Sequence, residues 1–271
     1  MRDFAVDSAV TGSDGRLTAI LHEGWNVWGP FGGYRAAILL RALAAASPQP
    51  RPASFTCTFL ATGKPGPVEI TVRTRQAGRR ASALNASMTQ DGTPIMDASG
   101  WFVAEGMAGF EHDVTTMPGV PPAEALRGYQ DLADDYADWY PFWRNVEGRP
   151  LIWGQATGPP IFQVWMRLLR ALPSDDPVLE AARQLMWLDV IMWNAVPPPH
   201  GWPPKYLAPS LDLTAQFHRG AAEAEWLFCD AAAPIAGAGL AACHGRIWSP
   251  SGKLLASGTS HLICRPNPEA G

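Results

Sequence analysis

The order of the secondary-structure signals constrains this chain most: a helix followed by antiparallel strands, written twice. Residues 31–46, FGGYRAAILLRALAAA, read as one helix that Gly32 and Gly33 open and the prolines of Ser47–Pro52 stop. Residues 54–60, SFTCTFL, alternate and are rich in β-formers, so they read as a strand. Residues 68–75 and 80–89 read as two more, Asp91-Gly92 as a hairpin turn, and 94–103 as the returning strand. The order then recurs. Asp176-Pro177 is an N-cap with Pro at the first helical position, and VLEAARQLMWLDVIMWNA runs from there to Pro197-Pro198-Pro199. SLDLTAQFHR, EAEWLFCDAA and GAGLAACHGRIW follow as strands, then a Ser251-Gly252 turn and LLASGTSHLICR. Ser54 and Ser210, each opening the strand after a helix, lie 156 residues apart, and the turn glycines Gly92 and Gly252 lie 160 apart. Near-equal offsets predict an internal repeat with small insertions.

A central helix wrapped by an antiparallel sheet, made twice, predicts an α+β fold of the double hot-dog kind, two tandem units. The expected division is 1–105 for the first unit, 106–148 for a connection and 149–271 for the second. The connection holds MPGVPP, the acidic run DLADDYADWY and a Gly-Arg-Pro, with one short helix expected near Ala123–Tyr136.

Composition excludes several classes. Apolar residues make up 47% and charged residues 17%, enough for a packed core and too little charge for disorder. A net charge of −4 with no basic block argues against a nucleic-acid or anionic-membrane partner. No run of 18 apolar residues occurs, and MRDFAVDSAV carries Asp3 and Asp7 with no long apolar stretch, so the expectation is a cytoplasmic protein without membrane insertion. Cys57, Cys229, Cys243 and Cys264 stand far apart in apolar stretches and read as free buried thiols, with no metal site. No G-x-S-x-G elbow, P-loop, dinucleotide fingerprint or HExxH is present.

Asp189 is the most informative single residue. It stands in LMWLDVIMW with four apolar residues on each side, in a helix apolar all round and therefore buried. No Lys or Arg lies three or four residues away, so its partner must be tertiary. A buried carboxylate of this kind is a candidate general base; the competing reading is a structural Asp paired with a distant arginine such as Arg167. Ser210, Asp212, Thr214, Gln216 and His218 share one strand face by the period of two, and a solvated face accounts for most of them. Gly32 and Gly33 leave helix N-terminal N–H groups unobstructed for an anion, or serve a tight turn. The 12 Trp either fill core or wall a cleft, with Trp187 and Trp193 flanking Asp189 and Trp165 on a strand of the same half.

Taken in order, several segments resemble the acyl-CoA thioesterase II type. They are Phe31-Gly32-Gly33, Ala108-Gly109-Phe110-Glu111-His112 followed by Thr116-Met117-Pro118, Gln163-Val164-Trp165-Met166-Arg167, Pro199-His200-Gly201 and Phe217-His218-Arg219. The resemblance covers nearly the whole chain. It implies hydrolysis of a fatty acyl-CoA to free acid and CoA by a water that three residues orient: an Asp on the second central helix, a Thr at the start of the next strand and a Gln on the last strand. By position these fall on Asp189, Ser210 and Ser260. Serine keeps the hydroxyl at 210, whereas Ser260 is shorter than Gln and lacks its NH2. The resemblance also makes Gly32, Gly33 and Tyr34 a substrate-facing or oxyanion turn. The departure at Ser260 opens an alternative, a weak or inactive protein that binds acyl-CoA without turning it over. A dehydratase is disfavoured because neither central helix contains a His. No cofactor is implied, since CoA is part of the substrate, and edge or face pairing of hot-dog sheets is compatible with a homodimer or homotetramer.

Overall fold

Asp176 caps the second central helix as its sequence predicts: Oδ1 accepts from the N–H groups of Val178 and Leu179, both at 2.9 Å. The computed structural model describes every residue except 156, 174–175, 221–223 and 269–271. In chain order the first half contains α1 (Phe4–Asp7), β1 (Thr11–Ser13), β2 (Arg16–Leu21), α2 (Gly32–Ala46), β3 (Arg51–Phe59), β4 (Gly66–Ala77), β5 (Ala81–Gln90) and β6 (Thr93–Val103). The rest contains α3 (Tyr129–Leu132), β7 (Val146–Pro150), β8 (Ile161–Leu168), α4 (Pro177–Asn194), β9 (Tyr206–Leu207), β10 (Asp212–Phe217), β11 (Leu227–Gly237), β12 (Leu240–Trp248), β13 (Leu254–Ile263) and β14 (Arg265–Pro266).

One antiparallel sheet of 12 strands runs in the order β1-β2-β4-β5-β6-β3-β10-β13-β12-β11-β8-β7, and β9 pairs with β14 apart from it. Read inward from either edge, the order repeats: the strand that follows the long helix sits innermost. The halves join where β3 meets β10, with Cys57 opposite Leu213. This is the α+β double hot-dog. Asp91 and Gly92 turn between β5 and β6 with φ of 50° and 77°, the left-handed pair that a two-residue hairpin requires.

The helices α2 and α4 pack against each other and against the sheet. Every α4 residue from Leu179 to Met192 is buried. The sheet makes room for it at Gly245 and Gly258, which are cross-strand partners. A β-carbon at Gly258 would lie 2.5 Å from the Thr214 carbonyl oxygen and 3.1 Å from Leu188, and one at Gly245 would lie 3.0 Å from Ile191. Facing glycines on two adjacent strands give α4 a shallow floor at this point, so the helix packs close to the sheet.

Several expectations change. The short helix expected in the connection is the four-residue α3, flanked by 3-10 turns at Ala123–Ala125, Tyr136–Asp138 and Pro141–Arg144. Its Gly148-Arg149-Pro150 is not loop but part of β7, an edge strand where Pro costs no ladder bond. The β1–β2 hairpin was not expected, although Leu17, Ala19 and Leu21 alternate as buried residues along β2. Trp165 does not face the central helix. Its neighbours Val164 and Met166 enter the main core, while Trp165 turns to the other side and packs with Phe228 and Trp248 beneath Ala123 of the connection. Its indole N–H donates to the Pro121 carbonyl at 2.9 Å. Among the described residues no helix is long and apolar enough to cross a membrane.

Candidate active site

Where α4 crosses the start of α2, Asp189 meets Gly32 and Gly33. A β-carbon at Gly32 would lie 2.7 Å from Asp189 Oδ2, and one at Gly33 would lie 3.0 Å from Asp189 Cβ and 2.9 Å from the Met186 carbonyl oxygen. Close approach therefore requires glycine at both positions. The N-cap of α2 is Phe31, whose side chain offers no acceptor. The Asp189 carboxylate takes that role from the neighbouring helix, accepting from the Gly33 backbone N–H. The positive end of the helix dipole favours the anion there.

Ser210 supplies the other donor: its Oγ donates to Asp189 Oδ1 at 3.0 Å. The expected face-sharing of Ser210 with Asp212, Thr214, Gln216 and His218 fails at its first member. Residue 211 is a bend, β10 begins only at Asp212, and Ser210 makes a single bridge to Leu262. The bend turns Ser210 onto the helix side. The remaining polar row faces outward, and Leu213, Ala215 and Phe217 are buried.

Burial dominates the acidity of Asp189 and pushes its carboxyl up to about 6, against the lowering effects of Ser210, Gly33 and the Arg35 charge. Removing the Ser210 donor should raise it further. A hydrogen bond to a charged group is worth about 1.5–3 kcal/mol, or about one to two pH units. Ser210→Ala should therefore move the acid limb of the pH–rate profile upward by that amount, and Ser210→Thr, which keeps a hydroxyl, should leave the limb in place.

Ser260 is buried on the helix-facing side of β13. It lies two residues from Gly258, which is under Leu188, and opposite Cys243, whose thiol donates to the Met192 carbonyl. Its hydroxyl donates to the Asp212 carbonyl at 2.7 Å, a bond to backbone and not to Asp189 or Ser210. Tyr34 is fully buried, stacked on Trp25, with its hydroxyl donating to the carbonyls of Asp7 and Ile20 at 2.7 and 3.0 Å. Its side chain is engaged in the first half's own core, which leaves its backbone at the α2 terminus. Arg167 is not the partner of Asp189: it bonds Glu147 at 2.7 Å and Glu225 at 3.1 Å, with its guanidinium 4.8 Å above the Trp226 ring.

Arg35 is a residue the sequence reading missed. It sits one turn into α2 and is 5% exposed. Its charge gave a signal, an arginine in the first turn of a helix whose other charge is Arg41, but only packing shows it buried near Asp189. Among the described residues, no group of three or more His, Cys, Asp or Glu could hold a metal ion.

Two helix-and-sheet units sharing one sheet, with a buried carboxylate where their helices cross, define the class as double hot-dog. Residues 21–103 match the family model of the acyl-CoA thioesterase N-terminal domain, and residues 112–263 match that of the acyl-CoA thioesterase C-terminal domain. The chain belongs to this acyl-CoA thioesterase family and is a thioester hydrolase. No curated protein matches it in sequence. Among solved structures it is similar to an acyl-CoA thioesterase II, TesB2, from Mycobacterium marinum: 23% identity, TM-score 0.80, covering 98% of this chain and 100% of that one. It is also similar to a hot-dog protein of unknown function from Alicyclobacillus acidocaldarius, at 22% identity, TM-score 0.82 and coverage of 98% and 99%. The dehydratase domain of PpsC from Mycobacterium tuberculosis, in complex with C12:1-CoA, shares the fold at 12% identity, TM-score 0.53 and coverage of 95% and 97%. One architecture thus carries more than one chemistry, and the site residues must decide between them.

Proposed function

We propose that this enzyme hydrolyses fatty acyl-CoA by direct attack of a water held between Asp189 and Ser210. The supporting observation is the Asp189 carboxylate: buried, bonded by Ser210 Oγ at 3.0 Å, set against the N-terminus of α2, and with its acidity tuned to about 6. A base with a pKa near the working pH is ionised yet still able to take a proton. The water oxygen bonds to the thioester carbonyl carbon while its proton passes to Asp189. The carbonyl electrons move to oxygen, for which the N–H groups of Gly32 and Tyr34 are the donors at the α2 terminus left after Gly33 bonds Asp189. Collapse breaks the C–S bond, and the CoA thiolate leaves with the proton that Asp189 held. Without a covalent nucleophile, orientation supplies much of the rate.

The test is release of free thiol from acyl-CoAs of graded chain length. Hydrolysis of at least one chain length, with an acid limb of kcat/KM centred at about pH 6, is the expected result. No thiol release at any length or pH would sink the reading. Ser260→Gln addresses the departure from the family's Gln. It restores a longer side chain with an NH2 donor, so turnover should rise by about 10-fold, the scale of one added hydrogen bond in the transition state. Activity appearing only in Ser260→Gln would mark the native chain as the acyl-CoA-binding alternative. A cytoplasmic location, self-association into a homodimer or homotetramer, and the division at 105 and 148 belong to the same proposal.

A further inference from the structure

Arg35 has no part in the reaction as written, yet it is one of the most deeply buried charges in the molecule. It is 5% exposed and makes no ion pair within 4.0 Å among the described residues. Its Nη1 donates to the Ala61 carbonyl at 2.6 Å and reaches the Ile95 carbonyl at 3.5 Å, while its Nε is buried without a partner among the described residues. A guanidinium so placed is unfavourable unless a counter-charge lies nearby. The packing identifies one. Arg35 follows Gly32 by three residues, so both lie on one face of α2. Its guanidinium lies 5.5 Å from the centre of the Phe59 ring. The same ring lies against Gly32, where a β-carbon would stand 3.0 Å from it and 2.7 Å from Asp189 Oδ2. Arg35, Phe59, Gly32 and Asp189 form one contiguous stack.

We propose that Arg35 is a positioning residue of the active site, the buried counter-charge against which Asp189 is held as a carboxylate. This rests on Asp189 being the general base. Burial acts most strongly on Asp189, and against it stand, in falling order, the Ser210 hydroxyl, the Gly33 N–H and the Arg35 charge from α2. Cys57 of β3 also feels Asp189, but its thiol is pushed well above its ordinary range by burial and stays neutral, and Asp212 acts on Cys57. Arg35 is therefore the cation among the groups acting on Asp189, and its removal leaves the carboxylate with hydrogen bonds but no counter-charge. The Ala61 carbonyl holds the guanidinium in place, and the Phe59 ring beside it is a surface on which a cation rests favourably.

The experiment records thiol release from acyl-CoA against pH for Arg35→Met, Arg35→Gln and Arg35→Lys. Arg35 acts on Asp189 less strongly than Ser210 or Gly33, so losing its charge should raise the carboxyl by about 1 pH unit, the low end of the range for a charge partner. The acid limb should move up by that amount in the Met and Gln variants, with activity down about 2-fold at pH 7, approaching 10-fold below pH 6, and recovered at high pH. Lys should keep the limb at its wild-type position. If the uncharged variants fold at pH 5 but not at pH 7, the same uncompensated carboxylate is the cause, and the proposal stands. An unmoved limb in folded Arg35→Met, or failure to fold at both pH values, would overturn it, since position 35 would then serve packing alone. The reading of Asp189 itself is checked separately by Asp189→Asn. An inactive Asp189→Asn beside an unmoved Arg35→Met limb removes only the role of Arg35.

Discussion

Asp189→Asn should lower kcat by about 10²–10⁴-fold, the range a positioned general base contributes. Asparagine preserves the shape and an oxygen for the Ser210 hydroxyl, so the loss reads the base and not the packing. Km should change little, since the carboxylate acts on water and not on the acyl chain. The same variant should gain stability relative to wild type as pH rises. In the folded chain Asp189 keeps its proton up to about 6, against 3.8 for the free carboxyl. Between those values the folded state binds the proton and the unfolded state does not, so the wild type loses stability as pH rises through this window. Two pH units correspond to roughly 3 kcal/mol. The stability of Asp189→Asn relative to wild type should thus grow by about 2–3 kcal/mol from pH 4 to pH 7, seen as diverging thermal midpoints. Parallel curves across that range would show that the carboxylate is not strained by burial, and a kcat within a few-fold of wild type would end its assignment as base.

Gly33→Ala should be nearly as damaging, by another route. The new methyl would stand 2.9 Å from the Met186 carbonyl oxygen, 3.0 Å from Asp189 Cβ and 2.8 Å from the Phe31 ring. The first of these is backbone of α4 and cannot rotate aside, so the helices must separate by several tenths of an ångström. Overpacking of this kind costs about 1–3 kcal/mol. It also moves the Gly33 N–H and Asp189 apart, and misplacement near 1 Å can reduce rate about 10²-fold. Denaturant unfolding and thiol release measure the two effects on one sample. A stable and fully active Gly33→Ala would mean that the helix crossing is looser than the structure places it.

The core of this fold was legible because periodicity reports burial. The all-apolar run around Asp189, the Asp176-Pro177 start and the Asp91-Gly92 turn each have a local physical cause, and each appears in the structure at its expected place. The elements that were missed lack that local cause. Val146–Pro150 is a strand only because β8 lies beside it, and its Gly, Arg and Pro carry no strand preference. The face of Trp165 could not be assigned from sequence, because alternation gives a strand two sides but does not say which one meets the helix.

The site divides in the same way. Sequence alone determined that Asp189 is buried and lacks a partner on its own helix, because helical spacing is fixed by the backbone. The partner's identity depended on long-range packing. Ser210 reaches the carboxylate only because a bend at residue 211 breaks the strand's alternation. Gly32 and Gly33 matter because α4 crosses α2 at that point, a crossing between residues more than 150 positions apart in the chain. Arg35 is a further case: its charge is written in the sequence, but its burial and its stack through Phe59 toward Asp189 exist only after both halves close on one sheet. Local pattern decides which residues are inside. Contact across the shared sheet decides which of them meet, because that geometry is set by the crossing of two helices and not by either helix alone.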